Sequence, residues 1–175
     1  MGDRIEKRIK CFFFIIVFIV TFGVLLIYYY AYFPGLYSPD SNDQLRQVVS
    51  GIYSDWHPVI HTGLFFTLPL QIFHSNEVIV FLQILWFSLA FSYLLTIMRI
   101  YGSTIKFVVV CMAVILLSPM TGNILMYPWK DCRLAVFGII CTAHFIKYLD
   151  YKRRMAGKGI KCNSMCAIVG DYHFD

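Results

Sequence analysis

The chain predicts an all-α, polytopic membrane protein with about four full crossings, one short or re-entrant helix, and an outer loop that carries a juxtamembrane helix. Three observations predict it. Of 175 residues, 59% are hydrophobic and 14% charged, a balance far from that of a water-soluble domain. Cys11 to Tyr32, Val78 to Met98 and Phe107 to Trp129 are uncharged runs of 22, 21 and 23 residues; about 20 apolar residues suffice to cross a hydrocarbon core of about 30 Å. The cations sit at the ends. Arg4, Lys7, Arg8 and Lys10 precede the first run, and Lys147, Lys152, Arg153, Arg154, Lys158 and Lys161 follow the last. The positive-inside rule then places both termini in the cytoplasm of a multi-pass cell-membrane protein, so the number of crossings is even.

The first run follows a basic segment, as a secretory signal would. Its apolar part is longer than a signal's, and bulky Tyr28-Tyr29-Tyr30 stands where small cleavage-site residues belong. It reads as an uncleaved anchor, with those tyrosines, Tyr32 and Phe33 forming an interfacial aromatic belt. Pro34-Gly35 marks a turn. Ser38 and Pro39 then suit the N-cap and first position of a helix, and Gly51 suits its stop. On that helix Asp40, Gln44 and Gln47 fall on one face at i, i+4 and i+7, with Asp43 on a flank.

Pro58 opens the next helix at its first position. The apolar run from Val59 to Phe73 contains His61 and Pro69; its 15 residues reach about 22 Å, short of a full crossing. As a half-helix or re-entrant arm it leaves Val78 to Met98 running inward, with Arg99 and Lys106 in the cytoplasm. The run from Phe107 returns outward, kinked at Pro119 and Gly122. The last run, from Leu134, goes back in. This path sets Pro128-Trp129-Lys130-Asp131 on the same outer face as Asp40; a five-span path would set them on opposite faces. Residues 1–150 form one transmembrane module with its outer loop at 33–58. Residues 151–175 form a basic cytoplasmic tail that sets topology and implies no nucleic-acid partner. The six cysteines (11, 111, 132, 141, 162, 166) lie mostly in spans or tail and suggest neither a disulfide framework nor a zinc site.

Polar chemistry has few places to sit. Asp40, Asp43 and Asp55, in the outer loop, are three of the five acids between Ile9 and Tyr148. Asp40 could serve as a general base or metal ligand, with Gln44 and Gln47 binding sugar hydroxyls or phosphate oxygens; helix capping alone also accounts for Ser38-Pro39-Asp40. His57 and His61 stand four apart, a weak metal signal that an interfacial Trp-His helix start explains as well. Lys130-Asp131, beside Tyr127 and Trp129, fits an interfacial anchor or a second acid facing the first.

Taken in order, these segments resemble a known family. A basic start and one span lead to Ser38-Pro39-Asp40-Ser41 through Gln47. Gly51-Ile52-Tyr53-Ser54-Asp55-Trp56-His57-Pro58 follows, then a short helix, longer ones, and Pro128 to Asp131. Residues 5 to 150 are similar to the N-terminal module of the GT-C glycosyltransferases, nearest to bacterial protein mannosyltransferases and lipid A aminoarabinose transferases. The resemblance implies an integral-membrane transferase that uses a polyprenyl-phosphate-linked sugar donor within membrane lipid. Asp40 matches the family's first-loop catalytic acid, with Asp43 as runner-up, and Asp131 matches a second site acid. The residues placed to bind substrate are Asp43, Gln44, Gln47, His57, His61 and Lys130. In some members a divalent cation, Mg or Mn, assists; no metal ligand is assigned here. The family's enzymes have more spans, so the resemblance implies a fragment or a split enzyme, inactive alone and completed by a partner chain. The alternative is a small non-enzymatic polytopic protein, an assembly partner or transporter remnant, whose outer loop binds a partner.

Overall fold

The computed structural model describes residues 2–170 apart from 55 and 57, with side chains described from 8 to 155. Among the described residues every regular element is helical. α1 (Gly2–Ala31) leads to α2 (Pro39–Ser50), then α3 (Val59–Thr62), a π-helical turn (Gly63–Thr67) and α4 (Leu68–Phe73). α5 (Glu77–Ile100), α6 (Ile105–Leu116), α7 (Pro119–Leu125) and α8 (Lys130–Gly170) complete the chain. Arg8–Ala31, Glu77–Ile100 and Lys130–Met155 are each long and apolar enough to cross a membrane, and the bent pair α6–α7 makes a fourth if it acts as one span.

α5 is the centre of the bundle: 56% of its span is buried, against 17% for α1 and 22% for α8. Val80, Ile84, Phe87, Phe91 and Leu95 supply its large core side chains, with Ala90, Ser88, Ser92 and Thr96 between them. Small residues allow close backbone approach where lipid offers no hydrophobic drive for helix association. The hydroxyls of Ser88 and Thr96 donate to the carbonyls of Ile84 and Ser92, each at 2.7 Å, so their burial leaves no donor unmet. On α1, Ile9, Phe12, Ile15, Ile16 and Ile19 face outward, a surface suited to acyl chains and a liability in water.

Side-chain contacts fix the helix directions. Phe22 meets Phe81 edge-on at 5.8 Å and Tyr29 Oη donates to the Glu77 carbonyl at 3.1 Å, so α1 and α5 are antiparallel. Gln83 Nε2 donates to the carbonyls of Leu125 (2.9 Å) and Tyr127 (2.6 Å), just before α8 begins. Further along both helices, Lys147 Nζ donates to Tyr93 Oη at 2.6 Å. α5 and α8 are therefore parallel neighbours, and α6–α7 must carry the chain back between them.

That return is bent at Pro119, one of the two positions where a kink is expected. It breaks at Ser118-Pro119 into helices bent by 62°, because Pro119 can open a helix but has no N–H to continue one. The last helix starts earlier than expected, at Lys130 rather than Leu134, and runs through the boundary drawn at residue 150. Lys130, Asp131 and Arg133 thus lie in its first turn. Val59 to Phe73 is a short apolar helix, as its length implies, but its middle is π-helical and Pro58 caps it instead of opening it.

Candidate active site

Ser38 caps α2 by accepting the Ser41 N–H at 3.3 Å, Pro39 occupies the first turn, and Gly51 ends the helix at φ 71°, donating to the Gln47 carbonyl. A left-handed terminator of this kind favours glycine. The Ser38 hydroxyl also accepts the Trp129 indole N–H at 2.9 Å, and Leu36 N–H donates to the Met126 carbonyl at 2.9 Å. Two segments remote in sequence are thereby clamped together, with Trp129 stacked on Tyr127 at 4.8 Å.

The clamp creates a cleft of about 230 Å³, walled by Asp40, Ser41 and Gln44 from α2 and by Trp129, Lys130 and Asp131 from the start of α8. Asp40, Lys130 and Asp131 are exposed to its solvent, whereas Ser41 and Gln44 are buried in its floor. Both acids occupy first helical turns, where a carboxylate complements the positive end of the helix dipole. Such a cleft can hold a polar ligand between two carboxylates, a cation and an amide.

Not every residue singled out in the sequence reaches the cleft. The inward face of α2 is Ser41, Gln44 and Gln47, with Asp40 at its exposed edge. Gln47 turns away from Asp40. Its amide nitrogen donates to Asp43 Oδ2 at 2.8 Å and Ser54 Oγ at 3.1 Å, and its oxygen accepts the Ser54 N–H at 3.3 Å. It ties the following loop to α2, and Asp43 belongs to that tie. His57 and Asp55 lie outside the described residues.

His61 is buried behind the cleft, between Gln44 and Arg133. Arg133 Nη1 lies 3.1 Å from His61 Nε2, and Gln44 Nε2 lies 3.4 Å from His61 Nδ1. Arginine can only donate, so Nε2 accepts and the ring proton of a neutral imidazole sits on Nδ1. The Gln44 carboxamide then meets that proton with its oxygen once turned by half a rotation. His61 thus forms a wall that couples α2 to α8 and does not itself line the cleft.

Arg133 went unremarked in the sequence because it follows Lys130 and Asp131 and looks like the last polar residue of a loop. In the fold it is 6% exposed. Besides His61, Nη1 donates to the Pro128 carbonyl at 3.0 Å and the Trp129 carbonyl at 3.5 Å. The guanidinium carbon lies 4.6 Å from the Phe65 ring centre and 5.5 Å from that of Phe66. Those consecutive phenylalanines sit in the π-helical turn, an irregularity that no periodicity in the sequence announces. Placing Arg133 on the helical stripe Cys132, Val136, Ile140, Ala143 would have marked it as inward-facing.

Tyr37, between α1 and α2, donates its hydroxyl to the Asn76 carbonyl at 2.7 Å. Burial, reinforced by the charge of Glu77 and by Tyr29 and opposed by Arg133, pushes its phenol up to about 12.

Toward a divalent cation of the kind the family resemblance implies, the described cleft supplies the carboxylates Asp40 and Asp131. Among the described residues no three His, Cys, Asp or Glu side chains cluster as ligands, and the cleft offers two carboxylates beside a lysine. No family model, curated protein or solved structure matches the chain.

Proposed function

We propose that the chain is a GT-C-type glycosyltransferase module that transfers a sugar from a polyprenyl-phosphate donor to an acceptor hydroxyl at the outer face of the cell membrane. The observation that carries this reading is the convergence of Asp40 and Asp131 on one cleft beside the membrane-crossing bundle. In the proposed orientation α1 runs outward from a cytoplasmic N-terminus, α5 inward, α6–α7 outward as one bent crossing, and α8 inward. The segment Val59 to Phe73 stays at the outer side, where 15 residues reach about 22 Å of a core of about 30 Å.

Asp40 acts as the base. It takes the proton of the acceptor hydroxyl as that oxygen attacks the anomeric carbon, and the carbon's bond to the phosphate oxygen breaks so that polyprenyl phosphate leaves with the electron pair. Asp131 and Gln44 orient sugar hydroxyls, and Lys130 offsets charge on the leaving phosphate. Asp43, held by Gln47, supports the helix carrying the base.

The test is transfer from radiolabelled polyprenyl-phosphate sugar in vesicles by the full chain together with the partner chain that completes it, with Asp40→Asn and Asp43→Asn as variants. A general base contributes about 10²–10⁴ in rate, so Asp40→Asn is expected to lose at least about 100-fold and Asp43→Asn far less. Equal rates for wild type and Asp40→Asn in that completed form would reject the reading and favour a non-enzymatic protein.

A further inference from the structure

Behind the His61 wall, away from the cleft, lies a second cavity of about 410 Å³. Its sides are apolar, contributed by Leu68 and Ile72 from α4, Trp86 from α5, and Phe137 and Ile140 from α8. Leu68, Ile72, Trp86 and Phe137 are themselves exposed, so the groove opens sideways, toward the space that hydrocarbon fills around a membrane-crossing bundle. Arg133 lines this same cavity. It lies one helical turn past Trp129, in the first turn of the candidate span Lys130–Met155.

Among the described residues the Arg133 charge is unmatched. No described carboxylate pairs with it, and its hydrogen bonds all leave from Nη1, so Nε and Nη2 donate to no described group. The partners of Nη1 are a neutral imidazole and carbonyls, and Phe65 and Phe66 offer ring faces. These contacts lower the cost of burial without cancelling the charge. An uncompensated cation at the head of an apolar, laterally open groove is complementary to an anion that carries an apolar tail.

We propose that this groove binds a membrane lipid with an anionic, phosphate-bearing head, its phosphate on the Arg133 guanidinium and its chain along Phe137 and Ile140. A soluble anion would gain nothing from the apolar walls. An uncharged lipid would leave the arginine unpaired, and a zwitterionic one would bring a second cation with its phosphate. The site stands whether or not the cleft transfers sugar, since it requires only Arg133 and the groove.

Trp86 provides the reporter. The full chain is reconstituted into phosphatidylcholine vesicles containing an equal fraction of either phosphatidylglycerol or phosphatidylcholine with brominated chains, and quenching is measured. The Trp86→Phe protein supplies the background from Trp56 and Trp129. The expected preference for the brominated phosphatidylglycerol at Trp86 is about fivefold. Arg133→Gln is expected to abolish that preference and Arg133→Lys to retain most of it. Leu68→Phe with Ile140→Phe, which fills the groove and leaves Arg133 intact, is expected to reduce it severalfold even if the arginine variants fail to fold. No preference in wild type, an unchanged preference in Arg133→Gln, or an unchanged preference in the filled groove would overturn the proposal. So would abolition of the preference by millimolar inorganic phosphate, which would assign the site to a soluble anion.

Discussion

At the scale of single residues, side chains of one type do unlike work according to where the fold turns them. Gln44 lines the cleft and backs onto His61, while Gln47, three residues on, is consumed by Asp43 and Ser54. The i, i+4, i+7 spacing placed Asp40, Gln44 and Gln47 on one face, yet which edge of that face meets α8 depends on contacts far along the chain. Ser38-Pro39 and Gly51 were legible because capping is local chemistry. For Arg133 the helical stripe gave the inward direction but not the covering partners, Phe65 and Phe66 in the π-helical turn. Tyr37 yields a prediction with a definite sign. Its phenol is raised in the folded state, so the stability from its neutral form is fully present below about pH 10 and is lost as pH rises toward about 12. Wild-type protein in detergent is expected to lose thermal stability over that interval, and Tyr37→Phe to lose markedly less. An identical alkaline decline in both would contradict the assignment.

At the scale of elements, the apolar runs marked which helices are long and apolar enough to cross, while their breaks depended on tertiary fit. Pro119 in an uncharged run signals a kink, but the 62° bend reflects where α7 must go, beneath Tyr28 of α1. Gly122 marks that close approach: a Cβ added there would overlap the Tyr28 ring. α7 is only seven residues long and cannot shift without displacing Met126, whose carbonyl anchors Leu36. Gly122→Ala, normally favourable in a helix, is therefore expected to destabilise by about 1–3 kcal/mol, read as earlier thermal aggregation in detergent. Unchanged or higher stability would show that α1 and α7 are not in contact there. Gly35 is similarly constrained: at φ 122° it leaves no room for a side chain against Val80.

At the scale of the molecule, hydropathy and charge were enough for a helical membrane protein, because spans must be long, uncharged and satisfied within themselves. The same signals laid α5 and α8 parallel with α6–α7 as the return, but the meeting of Asp40 and Asp131 in one cleft required more, the Trp129–Ser38 clamp. That arrangement underlies both the proposed transfer and the orientation it needs. Cysteine labelling in a Cys-free background tests it most directly, with Asp40→Cys, Asp131→Cys and Ser103→Cys exposed to a membrane-impermeant maleimide in intact cells. Asp40→Cys and Asp131→Cys are expected to react from outside, and Ser103→Cys, in the α5–α6 turn, only after permeabilisation. Labelling of Asp40→Cys and Asp131→Cys from opposite sides, or of Ser103→Cys from outside, would contradict it.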